Sequence, residues 1–265
     1  MLGRGAFGKV NLGLHVLTGR LVAIKSFNKS NIPNDRAKKK ILQEVKLMQK
    51  LKQNSVVKIY ETFETPKYLV IIMEYISGGD LLSFVKKRNK LNESSARYIF
   101  RQLITALELI HSQNVVHRDI KLDNILLDIN NNIKICDFGV GKLIRSKKEL
   151  LYDQCGTPAY IAPDILKNNG YEGPQVDIWS AGVVLYAMLS GMVPFKAHDM
   201  NKLHELILNG DYEALDNISK EAMNLINQIL CIDSRKRLTS TEILNHIWMC
   251  NEEFDENGYY KKSNY

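Results

Sequence analysis

Residues 3–25 read GRGAFGKVNLGLHVLTGRLVAIK. Glycines at 3, 5 and 8 make a G-x-G-x-x-G, a pattern that also marks the dinucleotide-binding fold. In that fold a helix follows the glycines, and its N-terminus meets the pyrophosphate. Here Lys9 to Leu14 alternates apolar and polar residues as a strand does. A Leu-Thr-Gly-Arg turn and a second apolar run, RLVAIKSF, come next. The stretch therefore reads as a hairpin. Its glycine turn presents backbone N–H groups that can close over phosphates, where a plain turn needs fewer glycines.

Working outward, the first 75 residues look sheet-rich. A helix over 34–51 carries Ile41, Val45, Met48 and Leu51 on one face, and VVKIYETFE and KYLVIIMEY add two more strands. Ser77-Gly78-Gly79 breaks the pattern. Beyond it the reading is helical, with Asn92 capping a helix that turns Ala96, Phe100, Leu103, Leu107 and Ile110 inward. The expected division is a sheet lobe over 1–75, a hinge at 74–80, a helical lobe over 77–250 and a polar tail over 251–265.

The chain has 265 residues, 45% hydrophobic and 25% charged, enough for one large domain or two small ones. Its net charge of +7 suits phosphate-bearing ligands, anionic surfaces or nothing beyond solubility. The basic run Arg36, Lys38, Lys39, Lys40 shares a helix with Glu44 and lacks interleaved aromatics, so a solvated face is read there in preference to a nucleic-acid site. Four scattered cysteines without metal spacing read as reduced thiols, which with the absence of a leader-like segment gives the expectation of an intracellular, cytoplasmic protein. The run VDIWSAGVVLYAML at 176–189 is too short to span a bilayer and carries Asp177, so it reads as a core helix and no membrane partner is expected.

Three polar clusters carry chemistry. Lys25 ends an apolar strand, where an ammonium is costly without a partner; Glu44 on the first helix can supply one. His117-Arg118-Asp119-Ile-Lys121-Leu-Asp-Asn124 packs charge behind two valines. Asp119 can accept a hydroxyl proton, Lys121 can steady a phosphate, and the Asn124 carbonyl can hold a metal. Asp137-Phe-Gly139 supplies a second oxygen ligand, and magnesium favours few carboxylate or amide oxygens plus phosphates. For Lys25 or Glu44 alone, a solvated surface side chain is the commoner explanation.

Taken in order, the glycine loop, VAIK, a helical Glu, HRDxKxxN, DFG and an Ala-Pro-acid resemble the eukaryotic protein kinase family over about residues 2–250. CGTPAYIAP, VDIWSAGVVLYAMLSGMVPF and DSRKRLTSTEILNHIW resemble the calcium/calmodulin-dependent and AMP-activated Ser/Thr group. The resemblance implies an α+β, bilobal kinase-like fold and transfer of the γ-phosphoryl of ATP to Ser or Thr of protein substrates, with Mg2+ as the metal and Mn2+ able to substitute. It implies Asp119 as base, Lys121 and Lys25 on phosphates, Glu44 holding Lys25, and Asn124 with Asp137 as metal ligands. Leu2, Gly3, Gly5, Gly8, Val10, Ala23, Met73, Glu74, Ile76, Asp80 and Leu126 would line the nucleotide site, the backbone of Glu74 and Ile76 meeting the adenine. Asp80 and Asp123 also match acids that select a basic residue three places before the acceptor. A catalytically silent scaffold is the alternative; it would need loss of Lys25, Asp119 or Asp137, and none is lost.

By the same resemblance, ELLYDQCGTPAYIAPDIL at 149–166 is the activation segment. Asp153 stands where relatives carry a phosphorylated Thr, and Lys40, Arg118 and Lys142 match the basic residues around that phosphate. Thr157 belongs beside Asp119 and Lys121, and Asp177 is expected to accept hydrogen bonds from the HRD backbone. Asp164 replaces a Glu that pairs with the arginine matching Arg237. One methylene short, it is expected to bridge through water or to shift the segment.

Overall fold

The computed structural model describes residues 1–4 and 8–250. Gly5 and the tail at 251–265 lie outside them.

The N-terminal part is one antiparallel sheet in the order β1-β2-β3-β5-β4, built from β1 (Gly3–Arg4), β2 (Gly8–His15), β3 (Arg20–Asn28), β4 (Ile59–Glu64) and β5 (Tyr68–Glu74). Val10 pairs with Lys25 and Ala23 with Met73, so strand alternation puts Val10, Ala23, Lys25 and Met73 on one face. Helix α1 (Asp35–Lys50) is capped by Asn34, whose side chain accepts from the Ala37 amide. Its apolar stripe seats Ile41 and Val45 against Phe27, Leu69 and Ile71. That packing fixes the helix that carries Glu44.

The remainder is mainly helical: α2 (Leu81–Arg88), α3 (Glu93–Ser112), α4 (Pro163–Leu166), α5 (Gly173–Ser190), α6 (Met200–Asn209), α7 (Lys220–Ile229), α8 (Ser240–Leu244) and α9 (Ile247–Cys250). Short antiparallel ribbons pair β6 (Val115–Val116) with β9 (Lys142–Leu143), β7 (Ile125–Leu127) with β8 (Ile133–Ile135), and β10 (Leu150–Leu151) with β11 (Tyr171–Glu172). Helix α5 is apolar on almost every side and buried from Val176 to Leu189. Gly182 lets α7 approach it, since a Cβ there would meet Ile229 at 2.5 Å. Among the described residues no helix is long and apolar enough to cross a membrane.

The segment after β5 joins the two parts and is stitched to the β7–β8 ribbon. The Gly78 amide donates to the Leu127 carbonyl at 2.9 Å, and the Leu127 amide donates to the Gly79 carbonyl at 2.8 Å. A side chain at 78 would collide with the Leu127 carbonyl at 2.4 Å, so this close approach needs glycine.

Candidate active site

The loop after β6 carries His117 to Asn124. Arg118 sits at φ 65°, a left-handed conformation that is strained for a side chain of this kind. Asp177, fully buried in α5, holds it there. One carboxylate oxygen accepts from the Arg118 amide at 2.7 Å; the other accepts from the His117 amide at 2.9 Å and meets His111 Nε2 at 2.8 Å. Burial opposes the charge, but the His111 bond outweighs it with help from His117, and Asp177 is held below the ordinary carboxylate range. His111 was not read from the sequence; a buried acid in a core helix was the signal that a polar partner had to exist.

Asp119, Lys121 and Thr157 form a closed set. Thr157 Oγ1 donates to Asp119 at 2.7 Å and accepts from Lys121 Nζ at 2.7 Å, while Lys121 Nζ lies 2.9 Å from the second Asp119 oxygen. Asn124 donates its amide to the Asp119 carbonyl at 2.8 Å and to its carboxylate at 3.2 Å. Its Oδ1 is thereby left without a hydrogen bond among the described residues. That orientation, with the exposed carboxylate of Asp137 following β8, fits a hard cation completed by phosphate and water oxygens. Asp137 also adopts positive φ, 61°, and its Oδ1 accepts from the Gly139 amide.

Lys25 Nζ meets Glu44 Oε1 at 2.7 Å, both side chains largely buried. Burial alone would lower the lysine; Glu44, then Asp137, more than reverse this and leave it above its ordinary value. Behind the pair, Met48, Ile59 and Phe138 join the main core, and the His117 ring meets Phe138 edge-on at 4.6 Å.

Around the cleft, Ala23 is buried and Val10, Met73 and Leu126 are half-buried. The exposed Leu2 donates its amide to the Val10 carbonyl, continuing the pairing of β1 with β2. Asp80 caps α2, both oxygens accepting from Ser83, and Asp123 is exposed in the loop after β6.

In the activation segment, Asp153 Oδ2 lies 2.9 Å from Lys142 Nζ and 3.2 Å from Arg118 Nη1. The Lys142 hydrogen bond is the main reason its carboxyl sits below the ordinary range, with Arg118 adding to it against a smaller effect of burial. Tyr171 completes the anchor: its hydroxyl donates to the Asp153 carbonyl at 2.7 Å and accepts from Arg118 at 3.1 Å. Lys40 departs from expectation. It lines the same cavity of about 410 Å³, as does Arg36, but no ion pair joins it to Asp153. The Asp153 carboxylate is paired with Arg118 and Lys142 instead.

The water bridge expected at Asp164 is also corrected. Arg237 Nη2 reaches Asp164 directly at 2.7 Å. Carbonyls of Gln175 and Cys231 fix the fully buried guanidinium, which sits over the Trp179 ring. The arginine comes close enough for a one-carbon-shorter acid to meet it.

The chain matches the protein kinase domain over residues 1–249 and belongs to that family. It is 40% identical over 250 residues to the SNF1-related protein kinase catalytic subunit alpha KIN12 of Arabidopsis thaliana, covering 94% of this chain and 50% of that protein. It is also 40% identical over 248 residues to a probable serine/threonine-protein kinase of Dictyostelium discoideum, covering 93% of this chain and 30% of the relative. The chain thus spans half or less of these relatives.

Proposed function

We propose that this chain is an ATP-dependent protein serine/threonine kinase. The observation that carries the reading is the set Asp119–Lys121–Thr157, in which a carboxylate, an ammonium and a hydroxyl sit within 2.9 Å of one another at the mouth of the cleft. Phosphoryl transfer needs little covalent help from the protein; it needs positioning and charge stabilisation. Asp119 orients the acceptor hydroxyl and takes its proton. Lys121 offsets charge on the moving phosphoryl. Lys25, held by Glu44, binds the α- and β-phosphates, and Val10, Ala23 and Leu126 enclose the adenine against the backbone of Glu74 and Ile76. Asp137 and the Asn124 Oδ1 would hold Mg2+, which when bound supplies positive charge along the phosphates.

Two finer features belong to the same proposal. The acids Asp80 and Asp123 favour substrates with a basic residue three places before the acceptor. Asp153 stands in for an activating phosphate, so the segment holds a competent arrangement without phosphorylation at 153. The experiment is transfer of labelled phosphate from Mg-ATP to a positional peptide library, with Asp119→Ala as control. Loss of a general base costs roughly 10²–10⁴-fold. Wild-type protein that labels no Ser/Thr peptide, or an Asp119→Ala chain that keeps most turnover, refutes the assignment.

A further inference from the structure

The Glu74 carboxylate gathers donors from both parts of the fold. Lys134 Nζ lies 2.8 Å from one oxygen and 2.9 Å from the other, and the Lys58 amide donates to it at 3.2 Å. The Glu74 amide returns a bond to the Lys58 carbonyl at 2.8 Å. Lys58 leads into β4, whereas Lys134 lies on β8, directly opposite Leu126 on β7. The side chains of Lys134 and Glu74 are only 17% and 24% exposed. A few residues on, Gly78 and Gly79 bond to Leu127 of the same ribbon. The chain from 74 to 79 is therefore fastened at both ends to β7–β8, with Tyr75 to Ser77 spanning between the fastenings.

We infer that Lys134 is a positioning residue for the nucleobase. By gripping the Glu74 carboxylate it sets the Glu74 carbonyl and the Ile76 amide at a fixed height above Leu126, the residue that floors the base. This rests on the nucleotide reading given above. The Lys58 ammonium does not compete for the carboxylate; it lies 5.8 Å from the Tyr60 ring centre. A pair that only tied the two parts together would affect stability and turnover without discriminating among bases.

The test compares the full chain with Lys134→Met and Lys134→Arg. It measures kcat and KM for ATP and for purine riboside triphosphate, which lacks the exocyclic amine, together with Mg-ADP affinity and thermal midpoint. Lys134→Met is expected to raise KM for ATP about fivefold with kcat within about twofold, the pattern of lost uniform binding. Lys134→Arg restores it, and the penalty shrinks with purine riboside triphosphate because the partner of the Glu74 carbonyl is missing. Should Lys134→Met not fold, Glu74→Gln serves, since it keeps one oxygen to accept from the Lys58 amide while removing the charge and turning one of the two oxygens that accept from Lys134 into a donor. An unchanged KM, or the same penalty with both nucleotides, overturns the inference alone. Wild-type protein without affinity for Mg-ADP overturns the nucleotide reading and the inference with it.

Discussion

Lys142 reaches Asp153 at 2.9 Å, so the activation segment is tied to β9 by an acid already present in the sequence. Arg118 of the catalytic loop joins the same oxygen, which couples the segment to the residue beside Asp119. The Asp153 side chain is 59% exposed, and an exposed pair is worth at most about 1 kcal/mol. Asp153→Ala is therefore expected to lower kcat of phosphatase-treated protein by up to about fivefold. The carboxyl titrates below its ordinary value, so the tie is whole above that range and is lost only as pH falls through the depressed pKa. Steady-state assays on both proteins at neutral pH, where the tie is whole, check this; equal kcat for the two would rule out a role for Asp153.

Thr157 holds Lys121 and Asp119 in register through two bonds of 2.7 Å. Hydrogen bonds to charged groups contribute about 1.5–3 kcal/mol. Thr157→Val keeps the shape and removes both, so kcat is expected to fall by roughly ten- to a hundredfold with KM for ATP unchanged. Thr157→Ser retains the hydroxyl and should recover most of the rate. A valine variant with wild-type kcat would show that Asp119 and Lys121 need no bridge.

Lys25 and Glu44 give a pH prediction. Burial pulls the lysine down, while Glu44 and then Asp137 raise it past its ordinary value. The stability this pair contributes is complete below the ordinary lysine pKa and is lost as pH rises through the raised one. Glu44→Gln removes the leading raising interaction and leaves burial in place, so Lys25 loses its proton at lower pH. The alkaline limb of the kcat/KM profile is expected to move to lower pH in this variant. A limb at the same pH in both proteins would mean that a different group titrates.

Much of this was legible in the sequence because local pattern and chemistry agree. Strand alternation after Gly8 separated a hairpin from a dinucleotide turn, and Asn92 caps its helix as its position suggested. What sequence could not supply was reach. Nothing in the sequence around Lys40 shows that Asp153 pairs with Arg118 and Lys142 alone, or that buried Arg237 comes near enough for Asp164 to bond directly. Lys134 and Glu74 are 60 residues apart, and only the pairing of β7 with β8 under the hinge brings them together. His111 looked like one more residue in the last turn of α3; its role depends on α5 crossing there.

Asp177 supports the catalytic loop from inside the core, which makes it the position where stability and activity are expected to fail together. Three donors converge on its fully buried carboxylate: the amides of His117 and Arg118 and the ring of His111. The Arg118 amide belongs to a residue at positive φ, a conformation that loses its backbone acceptor once Asp177 is gone. Removing one member of a buried polar set costs about 3–5 kcal/mol. Asp177→Ala is expected to lower stability by that amount in chemical denaturation and to reduce kcat even where the protein remains folded. Asp177→Asn keeps one carbonyl oxygen for a backbone amide and should lose less. Because the carboxyl is held below the ordinary range, its contribution is present above that range and disappears as pH falls through the lowered pKa. The stability difference between wild type and Asp177→Ala should accordingly narrow in strong acid. A gap that stays constant down to that pH would mean the charge on Asp177 does not hold the loop.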